Sequence, residues 1–150
     1  MEVRRWKVFL DTSALIAGVV STSGAAREVL RLGEARVIDL VVSRQVLTEG
    51  DRNIATKLPT VLGDYRLLLE HLGLQIVEDP SAQEVREAAR VIHHKDAPIL
   101  AAARQAGVDY LVTWNTRHFR TAPVRAFGPF AVMTPGEFLR AFRRRLPLDL

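Results

Sequence analysis

The chain has 150 residues, 48% hydrophobic and 25% charged, the balance of a folded protein rather than a disordered one. It contains no cysteine, which excludes disulfides, thiolate metal sites and thiol nucleophiles. The net charge is +4, which favours an anionic partner such as nucleic acid, and 18 of the 21 basic residues are Arg, a bias that suits phosphate recognition but that genome base composition also produces.

Val8 to Leu10 reads as a first strand that stops on Asp11, with Thr12 and Ser13 opening an apolar helix through Val20. Ser21 to Gly24 is a loop and a plausible cap, and Ala26, Val29, Leu30 and Gly33 keep helical spacing after it. A second strand lies around Val37 to Val42. Ser43 then caps a helix over Arg44 to Leu58 that turns Val46, Leu47, Ile54 and Leu58 inward. Pro59 marks another start, for a helix over Val61 to Leu72. Leu74 to Val77 is a third strand, closed by Glu78-Asp79-Pro80, which has the look of a turn and cap. Helices follow over Glu84 to Ile92 and Ala97 to Ala106, the second stopped by Gly107. Tyr110 to Val112 is a strand ending in Thr113-Trp114-Asn115, Phe130 to Met133 a last strand, and Pro135 to Arg145 a closing helix.

Short apolar strands alternating with helices imply right-handed crossovers. The expected fold is a three-layer α/β/α sandwich around a central, mainly parallel sheet of four to five strands. It fits one domain over 1–150, with its core over about 7–142.

In such a sheet, ligands bind at the carboxyl ends of the strands. Asp11 and Asn115 follow strands and belong to that edge. Asp109 precedes its strand, and a five-residue strand at about 3.3 Å per residue puts it roughly 15 Å away, at the opposite edge. Asp39, near the start of the second strand, reads as a turn residue or buried hydrogen-bond partner. Glu49 lies about two turns into its helix. Asp51 lies about 200° around the helix from it, so at most one of the two faces a shared site. Asp96 opens a helix and reads equally as its cap, since Asp before Ala-Pro is a good helix start. Each acid alone has such an ordinary explanation.

Taken together, Asp11-Thr12-Ser13, Glu49 after strand two, Asp96-Ala97-Pro98-Ile99-Leu100-Ala101 and Thr113-Trp114-Asn115 resemble the pattern of the PIN-domain family. The resemblance spans roughly Lys7 to Phe142. It implies a metal-dependent ribonuclease, in many relatives the toxin of a toxin-antitoxin pair, leaving a 5′-phosphate and a 3′-hydroxyl. It also implies an RNA substrate, a cognate antitoxin protein, a homodimer and a cytoplasmic location. The departure is Asn115, where many relatives carry Asp. An amide oxygen can coordinate a hard cation but brings no charge to it.

Carboxylate and amide oxygens suit Mg²⁺ or Mn²⁺. Asp11, Glu49, Asp96 and Asn115 are therefore the candidate catalytic and metal-binding residues, with Glu49 a ligand or a water-orienting base. Ser13 and Thr113 are candidates for orienting a ligand or phosphate oxygen, with a local backbone cap as the plainer role. His93 and His94 read as solvent-facing or capping residues, and His118 as packed or hydrogen-bonded in its loop. Trp114 can stack on a base, though a core role fits its surroundings in sequence better. Arg140, Arg143, Arg144 and Arg145 form the clearest basic patch, open to three readings: RNA phosphates, an acidic antitoxin segment, or balance of a helix carboxyl end.

Other enzyme classes fit less well. A haloacid-dehalogenase-type phosphatase needs a second Asp where this chain has Ser13. No phosphate-binding Gly-rich loop follows the first strand, and a receiver domain's acid and Lys pattern is missing. No apolar run reaches the roughly 18–20 residues that span a bilayer, so no membrane contact is expected. The lead through Glu2 lacks the apolar core of a secretory leader. The serious alternative is a catalytically weak or inactive module of the same fold that binds RNA or a partner protein.

Overall fold

The structure is a computed structural model and describes residues 4–145. Its centre is a sheet of five strands, all hydrogen-bonded neighbours running parallel, in the order β3-β2-β1-β4-β5. The strands are β1 (Lys7–Leu10), β2 (Asp39–Ser43), β3 (Gln75–Val77), β4 (Tyr110–Val112) and β5 (Ala131–Met133). In β1, Val8, Phe9 and Leu10 are all buried, as are Leu40 to Val42 in β2. Successive side chains point to opposite faces, so uninterrupted burial means that both faces are covered. This is the expected α/β sandwich.

Four helices connect the first half of the sheet: α1 (Thr12–Val20), α2 (Ala25–Glu34), α3 (Arg44–Lys57) and α4 (Leu62–His71), with a 3₁₀ turn at Pro59–Val61. They pack on one another as α1 with α2 and α3, and α3 with α4. The closing helix α9 (Pro135–Arg145) rests on α2. The helices α5 (Ala82–Ala88) and α6 (Ala97–Ala106) form a separate pair. Ser43 Oγ accepts from the Val46 amide and starts α3, and Gly107, at φ 66°, ends α6 in the left-handed conformation that only glycine takes without strain.

Several expectations need correction. The second strand begins later, at Asp39, because Arg36 takes a positive φ of 63° and Val37 is left outside the ladder. Asp39 is no buried partner; its side chain lies at the surface beside Arg5, 3.5 Å away. The helix expected over Glu84 to Ile92 is Ala82–Ala88, started by a Ser81–Glu84 capping box rather than by Glu78 or Asp79. Asp79 instead accepts from the Gln45 amide at the head of α3, and Glu78 pairs with Arg44. Leu58 is exposed, since it lies past the last turn of α3. Two short helices, α7 (Thr116–Phe119) and α8 (Ala122–Phe127), stand where no element was expected. Among the described residues, no helix is long and apolar enough to cross a membrane.

Candidate metal centre at the carboxyl edge of the sheet

The neighbouring strands β1 and β4 pair Leu10 with Val112. The next residues, Asp11 and Thr113, therefore leave the sheet side by side. Asp11 Oδ2 accepts from Thr113 Oγ1 at 2.7 Å and from Ser13 Oγ at 3.4 Å, while Oδ1 caps α1 by accepting from the Thr12 amide at 2.7 Å. The cap reading of Asp11 and the site reading thus coexist. Thr113, fully buried, also accepts from the Asn115 amide at 2.8 Å, and Ser13 accepts from the Trp114 amide at 3.2 Å. Both hydroxyls orient the Asp11 carboxylate and tie down the turn after β4.

Strand β2 lies on the other side of β1 and delivers α3 to the same edge. There Glu49 Oε2 accepts from Thr12 Oγ1 at 2.9 Å, and Oε1 from Gln45 Nε2 at 2.8 Å. Asp51 faces away, as its angular offset requires, and binds Arg66 of α4. Asp96 heads α6 but its side chain caps nothing there. Its Oδ2 lies 3.1 Å from His118 Nδ1, and the same nitrogen lies 3.1 Å from Asn115 Nδ2. The polar groups form a chain of contacts from Glu49 through Thr12, Asp11, Thr113 and Asn115 to His118 and Asp96.

The electrostatics of this edge are those of uncompensated negative charge. Burial pushes the Asp11 carboxyl above its ordinary value; hydrogen bonds from Thr113 and Thr12 pull it back, and the charges of Asp96 and Glu49 push it up further. None of the ion pairs made by Lys or Arg among the described residues ends on Asp11, Glu49 or Asp96. Carboxylates that repel one another, with no Lys or Arg paired to them and only the His118 ring against Asp96, suit a hard divalent cation. Among the described residues no three His, Asp or Glu side chains stand close enough to hold an ion by themselves. Mg²⁺ does not require such a cage, because it keeps several waters and binds through one or two carboxylates plus phosphate oxygens. The donor set fits that kind of site.

One neighbour differs from its reading in sequence and another goes beyond it. Trp114 is 51% exposed, not part of the core, because Val112 and Thr113 are buried and the next residue turns outward. His118 is hydrogen-bonded in its loop, to Asn115, rather than packed there; it also reaches Asp96, and Phe119 takes the buried position. Asp109 lies at the other edge, as expected, bound by Arg4 and the Lys7 amide. Arg145 sits there too, stacked over Trp6 at 4.7 Å. That end of the basic cluster is therefore remote from the acids.

The solved structures that resemble the chain share its fold. VapBC2 from Rickettsia felis, bound to a DNA fragment from its promoter, is 18% identical with a TM-score of 0.62, covering 85% of this chain and 98% of that one. DNA-bound VapBC from Salmonella typhimurium is 21% identical with a TM-score of 0.60, covering 87% and 98%. VapC20 from Mycobacterium tuberculosis, a toxin that cleaves the sarcin-ricin loop, is 19% identical with a TM-score of 0.52, covering 69% and 86%. A comparison with curated protein sequences finds no match. The sequence itself matches the PIN domain over residues 7–117, most of its length, and the chain belongs to the PIN domain family.

Proposed function

We propose that the protein is a Mg²⁺- or Mn²⁺-dependent endoribonuclease whose cation would sit at the edge lined by Asp11, Glu49, Asp96 and Asn115, bound directly by one or two of the carboxylates and through water by the other groups. The observation that carries this is the Asp11 carboxylate, buried at the carboxyl edge, facing the charges of Asp96 and Glu49 and paired with no basic side chain. A cation bound there would lower the pKa of its water and offset charge on the phosphate. Asp11, fixed by its hydrogen bonds, is the rigid ligand. Glu49, held at both oxygens but half-buried, serves as ligand or as the base that orients water and takes its proton. Thr113 and Ser13 hold Asp11 in place. Trp114 offers an exposed ring on which an unpaired base stacks.

The proposed substrate is RNA and the proposed biological role is the toxin of a toxin-antitoxin pair. Membership of the PIN domain family and the folds shared with VapBC complexes and a sarcin-ricin-loop-cleaving toxin support this reading. A cognate antitoxin, a homodimeric assembly and a cytoplasmic location follow from the same reading. A second reading, a catalytically weak module that binds RNA or a partner, draws on Asn115, which brings no charge to the cation. Incubating the protein with mixed RNA in Mn²⁺, Mg²⁺ or EDTA, beside Asp11→Asn and Asp96→Asn, separates them. Metal-dependent cleavage lost in both variants supports the nuclease. RNA binding without cleavage favours the module.

A further inference from the structure

The polar groups at the carboxyl edge divide into two halves with different supports. Asp11 and Glu49 are held by hydroxyl, amide and backbone donors from Thr12, Ser13, Gln45 and Thr113. Asp96 and Asn115 share one side-chain partner, His118 Nδ1, at 3.1 Å from each. We infer that His118 is a positioning residue that holds Asp96 or Asn115, according to its tautomer, as a ligand, an inference that rests on the proposed metal centre.

The local sequence explains why Asp96 needs such a partner. A capping Asp ordinarily accepts from the amides of the second and third helical residues. Here the second is Pro98, which has no N–H, and Asp96 itself takes helical backbone angles, φ −95° and ψ −12°, rather than the extended ones of a cap. Its carboxylate is left to project from the head of α6 and is fixed from across the cleft. On the other side, Asn115 and His118 lie three residues apart across the first turn of α7, with the His118 amide donating to the Asn115 carbonyl at 3.2 Å. That spacing stacks their side chains on one face. Phe119, fully buried, anchors the turn and so sets where His118 stands.

The tautomer of the ring decides which side chain is gripped. A carboxylate only accepts, so an Nδ1 that carries the hydrogen donates to Asp96; an Nδ1 without it accepts from the Asn115 amide and turns that side chain's oxygen outward, toward a cation. Either tautomer fixes one of the two, and losing the ring frees it. The side chain is 52% exposed, so its removal leaves no cavity in the core.

The test is Mn²⁺ binding by calorimetry to the full chain without RNA, with thermal unfolding of each metal-free protein alongside. The proteins are wild type, His118→Ala, His118→Asn and Asp11→Asn. Groups that hydrogen-bond and orient metal ligands are worth about 10–100-fold in metal affinity. A loss of that size is expected for His118→Ala, with His118→Asn, whose amide occupies the place of Nδ1, recovering most of it and both unfolding as wild type. Wild-type affinity in His118→Ala, with Asp11→Asn weakened, overturns the positioning role alone. A wild-type protein that binds no Mn²⁺ overturns the metal centre and this inference with it.

Discussion

Thr12 Oγ1 donates to Glu49 Oε2 across 2.9 Å, joining the first residue of α1 to the second turn of α3. The bond spans 37 residues of sequence and fixes the half-buried acid against the buried one. A hydrogen bond to a charged group contributes about 1.5–3 kcal/mol. Thr12→Val keeps the shape and removes the donor. RNA cleavage is expected to fall by roughly tenfold or more on that scale, while Thr12→Ser retains it; equal rates for Val and wild type would show that Glu49 needs no such anchor.

Asp11 carries a cost in stability that metal or mutation removes. Its folded pKa lies above the ordinary value of 3.8, so in that window the folded state holds more protons than the unfolded one. Stability therefore falls as pH rises from about 3.8 through the raised folded value, and the penalty stands in full above it. Metal-free Asp11→Asn is expected to melt higher than wild type at pH 7, with the gap closing toward pH 4. Mn²⁺ should raise the melting temperature of wild type and not of the variant. An Asn variant less stable than wild type at pH 7 would contradict the penalty.

The Tyr65 hydroxyl is buried with no hydrogen-bond partner among the described residues, and burial pushes its phenol up to about 12. It presses on Gly50 of α3, where an added Cβ would stand 2.4 Å from that oxygen. An unsatisfied buried hydroxyl costs about 1–3 kcal/mol. Urea unfolding should find Tyr65→Phe more stable than wild type by about 1 kcal/mol, and Gly50→Ala less stable by about 1–3 kcal/mol through overpacking. The double variant should recover part of that loss, since the clash is with the hydroxyl.

Trp114 is exposed beside Thr113 and Asn115. Stacking of a base on an aromatic ring is worth about 1–3 kcal/mol. Trp114→Ala should weaken binding of single-stranded RNA by about tenfold on that scale, leaving Mn²⁺ affinity as in wild type. A variant that binds RNA equally well removes the ring from the substrate path.

The strands, most helices and the edge to which each acid belongs were legible because a buried parallel strand is a short apolar run. The residue after it has only one place to go. That logic carried Asp11 and Asn115 to the carboxyl edge and Asp109 to the other. The hydrogen bond of His118 within its loop was legible, but its reach to Asp96 was not, because that depends on α7, a four-residue helix too short to show a period and set by the burial of Phe119. Trp114 was misread because an aromatic next to a buried strand resembles core. Only the inward turn of Thr113 sends it out. Asp96 read as a cap from its type and place, yet Pro98 and its own backbone angles release the side chain. In each case a neighbour's geometry, absent from any local pattern, decided the role.

The most direct test of the metal centre is the chemistry of the RNA ends. The purified protein is incubated with a 5′-hydroxyl RNA oligonucleotide in Mn²⁺ or EDTA, and the termini of the products are identified by mass. Hydrolysis by water at Asp11, Glu49 and Asp96 leaves a 5′-phosphate and a 3′-hydroxyl, only with metal, and vanishes in Asp11→Asn. Products ending in a 2′,3′-cyclic phosphate, formed equally in EDTA, would show that the ribose hydroxyl attacks without the cation and would contradict the assignment.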